Sequence, residues 1–294
     1  MPKIIQFPHP GGEHSKSSGQ TWNNGPHKRK FMKYEGSILI DDKVKDGDIE
    51  FWGEFEPPAV LLDEFQNNQS PMPRFLFKPI RISGNAIGVN SDPYIFGCFA
   101  YTICRKFKGG KSTVLNNGLD KGDILLFGSG IDDKFVLDTL FVVGNAITIN
   151  KSNYQQKAKK YGSTFIKAAL DPIFTINNNY VKGEAQVDKS KNGCVDNDDS
   201  CCDSALEITI HIGATYNEPV NDIYSFVPAR ISSLNSQGFL RPEINLDGIN
   251  PNSHQNYKYI IKSGSIDEVN ELWKEIKNQV LKQQLYPAIG INKL

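Results

Sequence analysis

The chain is predicted to be an α+β protein with a barrel-like, mostly antiparallel β core, to which the C-terminal half contributes helices and further strands. Two patterns lead there. Short β-type runs at residues 3–7, 36–56, 74–82, 94–105, 123–127 and 135–143 succeed one another between Gly, Asn, Asp and Pro clusters, with no helical period between them. Apolar residues at helical spacing enter only after residue 150. A third observation makes a folded core the expectation: over 294 residues the chain is 39% hydrophobic and 22% charged, well away from compositions that stay disordered.

Taken in order, residues 1–34 contain the first β run and a His-rich segment, residues 35–150 the β-rich core, and residues 151–294 an α+β half integrated with it. In the stretch 36–56 two alternating runs flank Lys45-Asp46-Gly47-Asp48, which reads as a hairpin turn. Ile49, Phe51, Gly53 and Phe55 then share one face, expected to be core. Glu50, Trp52, Glu54 and Glu56 share the other, expected to be polar. Lys45–Gly53 has a weak echo in Leu119–Gly128, each a Gly-Asp turn followed by an aromatic-ended strand. Tyr154, Ala158, Tyr161, Phe165 and Ala169 predict a helix ended by Asp171-Pro172. Residues 181–205, polar and locally acidic, read as a surface insertion, followed by strands at 206–212 and at 224–227 before Pro228. Ser265 and Glu268 form a capping box for a helix whose stripe is Val269, Leu272, Trp273, Ile276 and Val280.

Charge narrows the function classes. With 33 Lys+Arg against 33 Asp+Glu the formal net charge is zero, so a whole-molecule grip on nucleic acid or an anionic membrane is excluded and any such contact is local. No apolar run approaches the ~18 to 20 residues of a membrane span, and the opening residues meet Pro and Gly before a signal-peptide core forms. A cytoplasmic location is expected, in keeping with an odd five cysteines and no disulfide framework.

The strongest chemical signal is in residues 9–31. This stretch carries three of the five histidines together with a Trp and a basic run. His9, Glu13, His14 and His27 suit proton transfer near neutral pH. Pro10-Gly11-Gly12 allows a sharp turn and close approach of backbone to a ligand, Trp22 offers a ring, and Arg29 and Lys30 can neutralise an anionic group. The histidine spacing is not that of a helical zinc motif, and no metal is assigned; the alternative is an N-terminal arm with incidental histidines. Trp52 and Glu54 are placed to stack on and hydrogen-bond a base or sugar, while a core or interface Trp explains the same pattern. Asp138 shares a strand face with Val136, Leu140 and Val142, where an unpaired carboxylate costs several kcal/mol. Arg81, Arg105 or backbone amides are its expected structural partners, and a place at the ligand is the other reading. Cys98 and Cys104 read as packing residues. Cys194, Cys201 and Cys202 among Asp196, Asp198, Asp199 and Asp203 read as a solvated loop, since they match neither a zinc nor a calcium pattern.

Leu119-Asp120-Lys121-Gly122-Asp123-Ile124-Leu125-Leu126-Phe127-Gly128-Ser129, followed by the apolar run 135–143, resembles the strand pair of PUA-like barrels, the group that includes ASCH and EVE domains. More loosely, HPGGEH near the start and FGSG at 127–130 resemble bacterial or phage proteins associated with nucleotide modification. The resemblance implies recognition of RNA, of modified DNA bases or of nucleotides. The expected function is therefore binding of a nucleotide or modified base in a pocket lined by the N-terminal segment, with chemical processing of it left open and no cofactor specified. The rival is a non-catalytic module that uses this segment as a partner-binding arm. Arg29→Ala is expected at this stage to weaken ligand binding with little change in melting temperature.

Overall fold

The computed structural model describes residues 1–12, 29–66, 71–82, 91–108, 111–174, 207–251 and 257–294. In chain order its strands are β1 (Ile4–Gly12), β2 (Lys30–Ile40), β3 (Lys43–Gly53), β4 (Ala59–Glu64), β5 (Phe75–Pro79), β6 (Ala100–Tyr101), β7 (Phe107–Lys108), β8 (Lys111–Ser112), β9 (Ile124–Ile131), β10 (Lys134–Ile149), β11 (Ile208–Gly213), β12 (Val227–Ile231), β13 (Lys258–Ile261) and β14 (Tyr286–Ile291). The α-helical pieces are α1 (Val114–Asn117), α2 (Tyr154–Ala158), α3 (Ser163–Phe165), α4 (Asp171–Phe174) and α5 (Ile266–Lys282).

Two six-stranded sheets form an α+β architecture. One runs β13-β1-β9-β10-β11-β6 and the other β14-β12-β3-β2-β5-β4, while β7 and β8 make a small ribbon. Pairing is antiparallel except for β1 with β9 and β2 with β5. β2 pairs with β3 along one edge and divides its other edge between β5, at Phe31 and Met32, and β14, at Gly36 to Ile38. Because β14 also pairs with β12, and β12 with β3, strands β2, β3, β12 and β14 close a ring. The barrel-like expectation thus takes the form of a partial ring whose last two strands come from the C-terminal half. At the closing contact Gly36 is required, since a Cβ there would sit 2.7 Å from the Gly290 carbonyl oxygen.

The hairpins turn on aspartates. β2 and β3 stay in register from Lys30 opposite Gly53 to Ile40 opposite Lys43, around Asp41-Asp42 with φ of 50° and 56°. The expected turn at Lys45–Asp48 is corrected: those residues lie inside β3, with Gly47 opposite Gly36. Asp132-Asp133, between β9 and β10, repeats the device with φ of 47° and 61°. Short Asp side chains tolerate the left-handed region that a two-residue hairpin loop demands. The echo between Lys45–Gly53 and Leu119–Gly128 is not structural, because Gly122 makes a turn at φ 93° before β9 while Gly47 is paired within a strand.

Three other expectations shift. The strand near Pro228 starts later, at Val227, and contains the proline, which lies opposite Pro287 of β14 where neither residue has an N–H to leave unpaired. The helix over 154–169 is broken: Gly162, at φ 103°, separates a 3-10 turn from α3, and a π turn over Ile166–Leu170 leads into α4. Pro172 therefore lies within the run, in α4 directly after the π turn, instead of ending it. The terminal helix forms as expected: the Ser265 hydroxyl accepts from the Glu268 amide at 3.1 Å, and Val269, Trp273, Ile276 and Val280 are buried.

The first sheet is covered on both faces. Every residue of β9 is buried, with Leu125 and Phe127 packing into one apolar cluster and Ile124 and Leu126 into a second that includes α5. No described helix is long and apolar enough to cross a membrane.

Candidate functional site: a buried charged layer linking the two sheets

Lys30 pairs with Gly53, so the residues just beyond them, Arg29 and Glu54, stand side by side at the ends of β2 and β3. A third residue comes from the other sheet. The register of β10 against β9 slips between Leu137 and Thr139, which makes Asp138 the extra residue of a bulge. Arg29 donates from Nε to Asp138 Oδ2 at 2.8 Å and from Nη1 to Glu54 Oε2. Arg241 donates from Nη1 to Asp138 Oδ1 at 3.1 Å and to the Ser129 hydroxyl at 3.3 Å, and its guanidinium lies 5.1 Å from the centre of the Trp52 ring. All four charged side chains are buried, and two cations face two carboxylates, so the formal charges cancel.

The layer continues through residues 91–106. Glu54 Oε1 accepts from the Asp92 amide at 3.0 Å. The fully buried Asp92 carboxylate in turn accepts from the amides of Thr102, Ile103 and Cys104 at 2.8 to 2.9 Å. The Ser91 hydroxyl meets the Glu56 amide at 3.3 Å. Lys30 donates to the Phe55 carbonyl; its burial lowers the amine's pKa, opposed by Glu56 and then Glu54. A further buried amine follows at Lys106, whose Nζ meets the carbonyls of Tyr101 at 3.0 Å and of Thr209, and His211 Nδ1 at 3.0 Å. Burial brings the Lys106 amine down to about 7 and, with Lys106 beside it, the His211 imidazole down to about 2.

Arg29, Trp52, Glu54 and Asp138, singled out separately in the sequence, therefore meet in one place. Their roles differ from those expected. Trp52 and Glu54 do not face solvent: Trp52 is 2% exposed, with its indole N–H donating to the Phe239 carbonyl at 2.7 Å, because the second face of β3 is covered by residues 239–241. The Arg29 guanidinium serves two protein carboxylates. Asp138 is paired, by Arg29 and Arg241 in place of Arg81 or Arg105; Arg81 lies instead at an exposed contact with Ser163. His9, Gly11 and Gly12 belong to β1 by their backbone. Glu13, His14, Trp22 and His27 lie outside the described residues, as do the expected convergence of the histidines, the insertion at 181–205 and its cysteines. Among the described residues no group of three or more His, Cys, Asp and Glu side chains is placed to hold a metal ion. Cys98 behaves as a packing residue, its thiol pushed up to about 12 by burial.

Sequence reasoning missed Asp92, Lys106, His211 and Arg241. His211 left a usable signal, a polar residue inside an otherwise apolar strand pattern, whereas Lys106 lies in a run of basic residues that reads as exposed. Arg241 left none, lying in an irregular stretch 103 residues from its partner.

The layer has a defined relation to the N-terminal segment. Across the first sheet Pro8 of β1 lies opposite Gly128 of β9, and Gly128 opposite Leu137, next to the Asp138 bulge. Arg29, bonded to Asp138, marks the far end of the segment. Pro8 and Leu137 thus lie about two strand spacings apart, ~10 Å, on either side of β9. No family model matches the chain, and neither a curated protein nor a solved structure does.

Proposed function

We propose that the protein binds a nucleotide or modified nucleic-acid base, and processes it chemically, where the segment 9–29 meets the buried charged layer. One observation carries the reading: of the two described ends of the chain's richest run of proton-transferring and anion-binding residue types, one pairs with β9 beside the Asp138 bulge and the other, Arg29, is bonded to Glu54 and Asp138. A buried network of charges is a costly foundation for a plain connection, and a fitting one for a segment that must be held in a single geometry. The resemblance of residues 119–143 to PUA-like barrels supports a base as the ligand.

In this reading His9, Glu13, His14 and His27 handle protons, Gly11 and Gly12 admit the ligand to the backbone, and Trp22 supplies a stacking face. Arg29, Glu54 and Asp138 are positioning residues, and Trp52 and Arg241 complete their packing. Lys30, buried and bonded to the Phe55 carbonyl, is the cation next to Arg29 at that end of the segment. Native mass spectrometry of the purified protein is expected to show a co-purifying nucleotide or base, and calorimetry with that compound to show saturable binding. His14→Ala should then retain binding and lose turnover by ~100-fold or more. Absence of any small-molecule ligand, with capture of a protein through the segment, would favour the partner-arm reading.

A further inference from the structure

The chain's charges balance overall and are unevenly placed. Residues 139–170 contain five lysines, Lys151, Lys157, Lys159, Lys160 and Lys167, and no Asp or Glu. The structure gathers four of these lysines on the broken helical run that spans α2 to α4, with Lys151 in the turn just before it. Lys151, Lys157, Lys159 and Lys160 are exposed and Lys167 is half-buried. Lys160 lies 4.9 Å from the centre of the half-buried Tyr161 ring, and Arg81 reaches the same run at Ser163. Buried Tyr154, Phe165, Ala168 and Leu170 fix the run on the core, so the lysines are presented from a firmly packed support.

The run is tied directly to the charged layer. The Ala168 carbonyl accepts from the Ser91 amide at 3.3 Å, and the next amide, Asp92, donates to Glu54. Ser91 and Asp92 thus connect the basic run to the site proposed above.

We infer that this basic run tracks the phosphate backbone of a nucleic-acid strand, so that the ligand at the site is a base within a polynucleotide and not a free nucleotide. The inference rests on the proposed function for its second half only. Local lysine density is what a net-neutral protein needs to hold a polyanion, and an aromatic ring beside a cation suits a base stacked next to its phosphate. An anionic membrane fits less well. Surface-lying membrane helices pair their cations with exposed apolar residues, and none of the large exposed hydrophobic side chains among the described residues falls within 151–167.

Fluorescence anisotropy with a labelled 20-nucleotide mixed-sequence single strand, and with its duplex, tests this across 50 to 200 mM NaCl. Wild type should bind one of the two. The triple variant Lys157→Gln, Lys159→Gln, Lys160→Gln should bind at least ~10-fold more weakly, with a salt slope shallower by about 2 on single strands, at ~0.7 per lost phosphate contact. The control Lys274→Gln, Lys282→Gln on α5 should bind as wild type does, and circular dichroism should show all three proteins equally folded. Failure of wild type to bind either oligonucleotide at 50 mM NaCl, equal binding by the triple variant, or binding only to phosphatidylserine-containing vesicles would overturn the inference. Calorimetry of a mononucleotide or free base separates the two readings: its binding without oligonucleotide binding leaves the site standing and removes the backbone track. Oligonucleotide binding through the lysines in a protein whose Glu54→Gln and His14→Ala variants lose neither binding nor turnover removes the site and leaves the track.

Discussion

Arg29 shows how burial redirects a residue that the sequence assigns to a ligand. A guanidinium that serves Glu54 and Asp138 in the interior cannot be removed without stripping Glu54 of its ion pair and leaving Asp138 to Arg241 alone, and breaking a buried pair from one side costs about 3 to 5 kcal/mol. Arg29→Ala is therefore expected to lower the unfolding free energy by about that amount in urea titration, against the small melting change the sequence alone implies. A stability within about 0.5 kcal/mol of wild type would show the network to be unimportant to the fold. The need for a partner at Asp138 is legible from its apolar strand neighbours. The partner's identity is not, because Arg29 and Arg241 are 109 and 103 residues away and are delivered by a strand end and an irregular segment.

Lys106 gives a pH dependence with a definite sign. Its folded-state amine titrates at about 7, below its ordinary 10.5, because it is buried. From about 7 to 10.5 the unfolded chain then holds a proton the folded chain lacks, so this group makes stability rise with pH through that window; below it both states are charged and the contribution is flat. Cys98, raised to about 12, acts oppositely once the unfolded thiol ionises. The clean observable is the difference between wild type and Lys106→Met in urea titrations from pH 6.5 to 8.5. It should move in favour of wild type as pH rises, and a flat difference would mean that the Tyr101 and Thr209 carbonyls keep the ammonium charged.

At the scale of elements, the periodicities that held were the ones with local causes. The terminal helix carries its own cap and stripe in consecutive residues, so it was readable in full, and Ser265→Ala is expected to cost about 1 kcal/mol in chemical denaturation. The β2–β3 hairpin departs from the sequence expectation for an equally local reason: two adjacent aspartates, Asp41-Asp42, also accept positive φ and leave longer strands on either side than a turn at Gly47-Asp48. The run 154–174 kept its apolar spacing and lost its continuity at Gly162, where a backbone with φ of 103° outweighs side-chain pattern. Two features of the charged layer lay beyond any periodic reading. A bulge at Asp138 is a mismatch between two strands, and the juxtaposition of Arg29 with Glu54 depends on where the β2–β3 register ends.

For the whole molecule, closure of the second sheet decides which parts of the chain can be lost. β14 lies in the last few residues, where position along the chain would predict tolerance to truncation. Its place in the fold predicts the reverse. It pairs with β12 through Val227, Pro228 and Ala229 and with β2 through Gly36 to Ile38, and its Ala288 and Ile291 are buried in the larger apolar cluster. Removing residues 286–294 would open the ring, bare the edges of β2 and β12, and uncover the core beside Phe96, which bridges to Ile291. Removing residues 186–204, by contrast, takes out a polar stretch that ends before β11 begins and includes no paired strand residue among those described, and loop-closure entropy changes only slowly with loop length. The C-terminal truncation should therefore yield insoluble protein or protein without a cooperative thermal transition, while the internal deletion, twice as long, should unfold cooperatively within a few degrees of wild type. Calorimetric scans of the two variants side by side check this, and a soluble, cooperative truncation would mean that the other strands hold the sheet without the ring.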